Sequence, residues 1–227
     1  MRYFICAVMT LLTSLALQAQ TYEVGMMLGG ANYIGDVGST TFISPNDFSI
    51  GAIAKWNRSK RHAFRASFLY AGISADDANG DDRREVRDFS FTNSVKELSL
   101  GIEYNFWEWY LYDGEPQFTP YLYTGITAFS YGAQVVDAGD NNRIKTYDNT
   151  INMAIPMVVG IKKTVSRSFV LGAEIGARYT FTDNLDGSDP DSSVGSGFGN
   201  LNNNDWYVFT GLTFSFTWGR IPCYCTF

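Results

Sequence analysis

The chain has 227 residues and a net charge of −6, with 45% hydrophobic, 16% aromatic and only 18% charged residues. That much apolar material excludes a disordered chain. After the N-terminus there is no uninterrupted apolar run of roughly 18 residues, which excludes a bundle of membrane-spanning helices. What remains is a chain with 22 glycines whose apolar residues are dispersed, as they are when apolar and polar positions alternate.

Residues 1–19 read as a signal peptide. Arg2 supplies the positive start, Tyr3 to Leu17 the apolar stretch, and Gln18-Ala19-Gln20 a small residue at the cut. Its removal leaves residues 20–227, with 16 of the 17 basic residues against 23 acidic ones, a net −7. Cys6 lies inside the apolar stretch behind Tyr3-Phe4-Ile5, without the small-residue box that a lipid-accepting cysteine requires. An acidic exported chain is poorly suited to nucleic acid. Cys223 and Cys225 are too few for a disulfide framework. With His62 the single histidine, a zinc site would lack ligands.

Eight segments then alternate with a period of two, the mark of a strand with two different faces. The first sets Tyr22, Val24, Met26 and Leu28 against Glu23, Gly25, Met27 and Gly29. The second sets Phe48, Ile50, Ala52, Ala54 and Trp56 against Ser49, Gly51, Ile53, Lys55 and Asn57. Phe64, Ala66, Phe68 and Tyr70 oppose Arg65, Ser67, Leu69 and Ala71. The clearest sets Leu98, Leu100, Ile102, Tyr104 and Phe106 against Glu97, Ser99, Gly101, Glu103 and Asn105. Similar segments start near Tyr121, Met153, Phe169 and Trp206, the last with Val208 beside Leu212 on its apolar face. Most reach the ~9–11 residues that a tilted strand needs to cross a bilayer, beyond the ~5–6 of soluble strands.

The connections alternate in length. Those at 33–47, 75–89, 132–150 and 183–204 are long; those at 58–61 and 164–168 are short; 107–117 is intermediate. Short periplasmic turns and long outer loops are the rule for outer-membrane barrels. The expected fold is therefore all-β: an eight-stranded antiparallel transmembrane β-barrel of the outer-membrane type, surrounded by outer-membrane lipids.

Its inward face reads as small, polar or charged. Glu23, Glu97, Glu103 and Glu174 carry one sign there, and Lys55, Arg65, Lys162 and Arg178 the other. An eight-stranded lumen is just wide enough for side chains to fill, and buried charges persist when paired. These eight are expected to form a lumenal ion-pair network that plugs the barrel.

Catalysis finds no support in the residue pattern. His62 falls beside the short turn 58–61, where an interfacial role is expected, and no acid–base couple is set by spacing. The expectation is a non-enzymatic chain without cofactor or metal. The acidic groups Asp76, Asp77, Asn79, Asp81, Asp82 and Asp183, Asp186, Asp189, Asp191 lack the spacing of a calcium loop and are expected to be solvated. On the periplasmic side, Trp107, Trp109, Tyr110 and Tyr112 make an unusually aromatic turn. The tail 219–227 adds Cys223, Tyr224, Cys225 and Phe227. These are candidates for docking a partner, because Trp and Tyr commonly anchor interfaces; an aromatic belt at the membrane interface is the alternative.

Three stretches carry a family resemblance: Tyr22-Glu23-Val24-Gly25 with Gly29-Gly30-Ala31-Asn32-Tyr33-Ile34-Gly35-Asp36, the run Glu97 to Phe106, and Phe118-Thr119-Pro120-Tyr121-Leu122-Tyr123-Thr124-Gly125-Ile126, together with the Cys-x-Phe close at Cys225–Phe227. The sequence resembles the PorG family of outer-membrane proteins from the type IX secretion and gliding motility apparatus. The resemblance implies a small barrel that anchors a periplasmic ring for protein secretion, with a PorK-like lipoprotein and a PorN-like protein as partners. It brings no catalytic residues. The additional Cys223 departs from the pattern. The rival expectation is a stand-alone structural or adhesive barrel of the OmpA/OmpX type working through its outer loops.

Overall fold

The computed structural model describes residues 21–111, 115–137, 143–187 and 204–219. Among them eight strands follow in chain order: β1 (Thr21–Ile34), β2 (Asp47–Asn57), β3 (His62–Asp76), β4 (Ser90–Asn105), β5 (Phe118–Asp137), β6 (Arg143–Thr164), β7 (Phe169–Thr180) and β8 (Trp206–Gly219). A 3-10 turn at Asp77–Asn79 and a short helix, α1 (Asp82–Arg87), lie between β3 and β4. Every strand pairs antiparallel with its sequence neighbours, and β8 returns to β1, closing the barrel. Closure leaves no unpaired sheet edge, which is what hydrocarbon demands of a spanning sheet.

The alternation sorts the two faces. Along β4, Leu98, Leu100 and Ile102 are 55%, 60% and 49% exposed, whereas Glu97, Ser99 and Glu103 are buried. Met26, Ile126, Val159 and Leu212 continue the same exposed apolar belt around the wall. In water that belt would far exceed the few hundred Å² of apolar patch that soluble monomers carry; in a bilayer it is the solvated face. Aromatic rings frame it. Tyr22 stacks near Trp218 at 6.0 Å on the short-turn side, and Tyr179 meets Trp206 at 5.0 Å on the other. The chain is an outer-membrane β-barrel, with its short turns in the periplasm.

Three expectations need correction. Most of the segment 132–150 is strand rather than loop. β5 runs 20 residues to Asp137 and β6 starts at Arg143 for 22 residues, and they pair with each other beyond the last partners of β4 (at Ser130) and β7 (at Ala154). The register shifts between Ala133 and Gln134. A strand that has left lipid no longer needs one apolar face, so the alternation fades while the backbone ladder continues.

The inward face is also not uniformly small or polar. Met27, Ile53, Leu69, Phe129, Tyr207 and Phe209 fill the outer half of the lumen as one apolar cluster, topped by Leu185. Finally, Val208 is fully buried rather than lipid-facing. Its β1 neighbour Asn32 binds the carbonyls of Thr41 and Phe42 at 3.3 Å each, and Phe42 packs 6.3 Å from Trp206. The first outer loop thus folds back over the wall at the rim.

Candidate functional site: the lumen and its two mouths

Six of the eight charged side chains singled out by alternation lie in the inner half of the lumen; Glu97 and Arg178 sit higher, Glu97 in register with Leu69 and Phe129 and Arg178 with Tyr207, at the border with the apolar cluster. All are buried. Glu103 from β4 is the hub: its carboxylate meets Lys55 at 2.7 Å, Lys162 at 2.6 Å and Arg65 at 3.7 Å. Lys55 and Arg65 face each other across β2 and β3, a repulsive placement that Glu103 relieves. Arg65 reaches across the barrel to Glu174 with two parallel bonds of 2.8 Å. Arg178 grips Glu97 in the same way with two bonds of 3.0 Å. Such forked pairs combine charge with fixed geometry.

Glu23 takes a different part. It stands opposite Lys55 in register, yet it accepts from Asn57 at 2.8 Å and from Ser215 at 3.2 Å, while Lys55 turns to Glu103. With four cations and four anions, the buried set is neutral. Tyrosines that alternation also places on the inward face complete it. Tyr121 donates to Glu174 at 2.6 Å and Tyr207 to Glu97 at 2.7 Å. Gly160 makes this possible, because a Cβ there would lie 2.4 Å from the Tyr121 ring.

The periplasmic mouth is closed by the turn after β4. Trp109 is buried, clusters with Leu111 and Val170, and stacks under Lys162, whose Nζ sits 4.7 Å from the ring. Trp109 is therefore a lid on the lumen, and its side chain is not open for docking as expected: a cation at the mouth draws the ring inward. Trp107 does face out, 53% exposed beside Phe118. Tyr110 donates to Glu108 at 2.5 Å and accepts from Lys60. The Tyr110 hydroxyl, followed by Lys60, holds the Glu108 carboxyl below the usual carboxylate range. His62 is exposed, with Nδ1 3.3 Å from Ser59 Oγ. That hydroxyl also accepts the amides of Arg61 and His62, so it serves the turn. Tyr112, Cys223, Tyr224, Cys225 and Phe227 lie outside the described residues.

The outer mouth departs from the expectation of solvated acids. Asp77 is buried, pairs with Arg87 at 2.7 Å and accepts the Gly38 amide at 2.8 Å, stitching the first two outer loops together. Asp186 and Asp205 are buried side by side. Tyr33 donates to both, and Asp205 also accepts the Leu185 amide at 2.9 Å. Burial, then the neighbouring Asp186, pushes the Asp205 carboxyl well above the usual carboxylate range. Asp189 and Asp191 lie outside the described residues. Among the described residues no three His, Cys, Asp or Glu side chains converge on a metal position.

Over residues 2–227 the sequence matches the family described as "Domain of unknown function (DUF6089)". The chain belongs to this family. No curated protein matches it. Among solved structures, it is similar to Neisserial surface protein A at 11% identity, with 88% of this chain and 97% of that chain covered and a TM-score of 0.49. The N-terminal β-barrel domain of Pseudomonas aeruginosa OprF gives 12%, 88%, 98% and 0.46. A major outer membrane protein from Thermus thermophilus gives 13%, 88%, 100% and 0.44. The barrel of this family member rests on its own strand register and lipid-facing belt.

Proposed function

We propose that this barrel is a non-enzymatic anchor in the outer membrane for a periplasmic assembly, the ring of a PorK-like lipoprotein and a PorN-like protein in type IX secretion and gliding. The observation that supports this reading most is the periplasmic turn 106–117. It presents Trp107 to the outside while Trp109 shuts the lumen behind it. A barrel closed by a lid, an ionic layer and an apolar layer offers its ends, not its interior, for work. Trp is the residue type most enriched where interface energy concentrates. The resemblance of the first, fourth and fifth strands to PorG supplies the nature of the partner.

Purification of the tagged full chain from native membranes in mild detergent tests the reading. The anchor predicts that both ring proteins co-purify and that Trp107→Ser releases them from a still-folded barrel. A barrel that emerges alone under these conditions overturns it. The second reading, an adhesive barrel of the OmpA/OmpX type, draws on Ile43 and Val86, apolar residues exposed on the outer loops. If trimming 183–204 abolishes function while removing 220–227 leaves it intact, the adhesive reading takes over.

A further inference from the structure

We propose that the outer wall across β1–β4 is a specific site for an anionic phospholipid of the inner leaflet, with an acyl chain in a wall groove and the phosphate on the turn beneath it. The groove has a volume of about 640 Å³. Its floor is Ala54 and Ala66, which face each other across β2 and β3. In the same row Val24 and Leu100 form the flanks. One step toward the periplasm, Tyr22, Trp56 and Phe64 line up in register as an aromatic sill, with the Trp56 and Phe64 rings 5.4 Å apart. One step outward, Phe68 stands across from Ala52. Two adjacent alanines between larger neighbours leave a recess in an otherwise full belt. It lies within the lipid-facing surface, so its natural occupant is a hydrocarbon chain.

The turn below supplies a headgroup site. Arg58 lies two residues after Trp56, and Arg61 and His62 come just before Phe64. The Arg58 and Ser59 amides both donate to the His62 carbonyl at 3.1 Å, which holds these residues on one tight turn. Among the described residues, Arg58 and Arg61 take part in no ion pair within 4 Å, though Arg61 lies near enough to Glu108 to help hold its carboxyl ionised; Arg61 is placed by a 2.6 Å bond to the Phe106 carbonyl. Lys60 is already engaged with Glu108 and Tyr110. A guanidinium presents planar paired donors that match phosphate oxygens. Around this mouth the described short-turn segments carry Arg58, Lys60, Arg61, Lys163 and Arg167 against Glu108 and Glu115. Basic groups beside a membrane select anionic lipid. The groove lies on β2 and β3 and the two arginines on the turn that joins those strands, so one lipid molecule can engage both.

Native mass spectrometry of the full barrel released from nanodiscs of phosphatidylglycerol and phosphatidylethanolamine in equal parts tests this. The wild type is expected to keep phosphatidylglycerol in preference. Ala54→Phe, which fills the groove, should reduce bound lipid of either kind by about tenfold. Ala128→Phe, on the exposed face of β5, should not. Arg58→Gln with Arg61→Gln, which leaves the wall intact, should keep lipid but lose the preference. Heat-modifiable gel migration verifies that each variant is folded. Equal retention of both lipids by the wild type overturns the proposal. So does an Ala54→Phe protein indistinguishable from Ala128→Phe, or a spectrum of dimers that Ala54→Phe abolishes, since a second copy would then be the occupant.

Discussion

The two halves of the lumen are plugged by opposite chemistry. In the outer half Met27, Leu69, Phe129 and Phe209 fill space by size; in the inner half Glu103, Arg65, Glu174 and their partners fill it by charge. Both exclude water, but they tolerate change differently. An apolar layer that loses a side chain keeps its remaining contacts. An ionic layer that loses one member leaves several others uncompensated.

The largest effect is therefore expected at the hub. Glu103→Ala strands Lys55 and Lys162 and takes one contact from Arg65. It should cost about 5 kcal/mol, the upper end for breaking a buried pair, read as the denaturant midpoint of the barrel in liposomes. Leu69→Ala, in the apolar half, should cost about 3 kcal/mol as transfer plus cavity. If the two costs came out reversed, the contrast between the halves would fail. Replacing Glu97 and Arg178 together, by Leu and Met, should move the midpoint by no more than about 1 kcal/mol, because both buried charges leave at once. A large loss in the double variant would mean that the Tyr207 bond, not the ion pair, dominates there.

The smallest effect is expected at the outer mouth and concerns pH. A carboxyl whose pKa rises on folding stabilises the folded state at low pH. That contribution is lost as pH climbs through the raised value. Protection of the Leu185 amide from exchange should fall on going from mildly acidic to alkaline pH, as Asp205 ionises beside Asp186. Asp205→Asn should flatten that dependence. An amide whose protection in the wild type is unchanged over this range would remove Asp205 from the explanation.

Much of this was legible in the sequence where lipid imposes a rule. Alternation marked the eight strands and the inward set of eight charges, because a side chain in the belt has only two choices. Partner choice was not legible. Alternation says that Glu103 and Lys162 point inward, but their meeting across β4 and β6 depends on strand stagger. The apolar half of the lumen was also hidden: where Met27 or Phe209 is apolar on the inward face, the two faces stop differing and the pattern loses contrast. Trp109 sits in a turn, where no period tells inside from outside. The extension of β5 and β6 lay above the lipid, where the rule lapses. Asp186 read as a solvated loop acid and Asp205 carried no signal at all, because their burial depends on Tyr33, more than 150 residues away from either.

The cross-lumen pairs also carry a consequence in time. Arg65 and Glu174 are 109 residues apart in the chain, Glu97 and Arg178 81, and Glu103 and Lys162 59. Arg65–Glu174 and Glu97–Arg178 join strands four and three places apart in the barrel order, so these two pairs form only as the wall curves closed, whereas Glu103 and Lys162 are separated by β5 alone. These two forked pairs are thus absent from the early folding steps and should be weak in the transition state. Breaking them should leave the rate of insertion nearly unchanged and hasten escape from the folded state. The ionic layer acts as a latch: it takes no part in building the wall, and it governs how long the wall, once closed, stays shut.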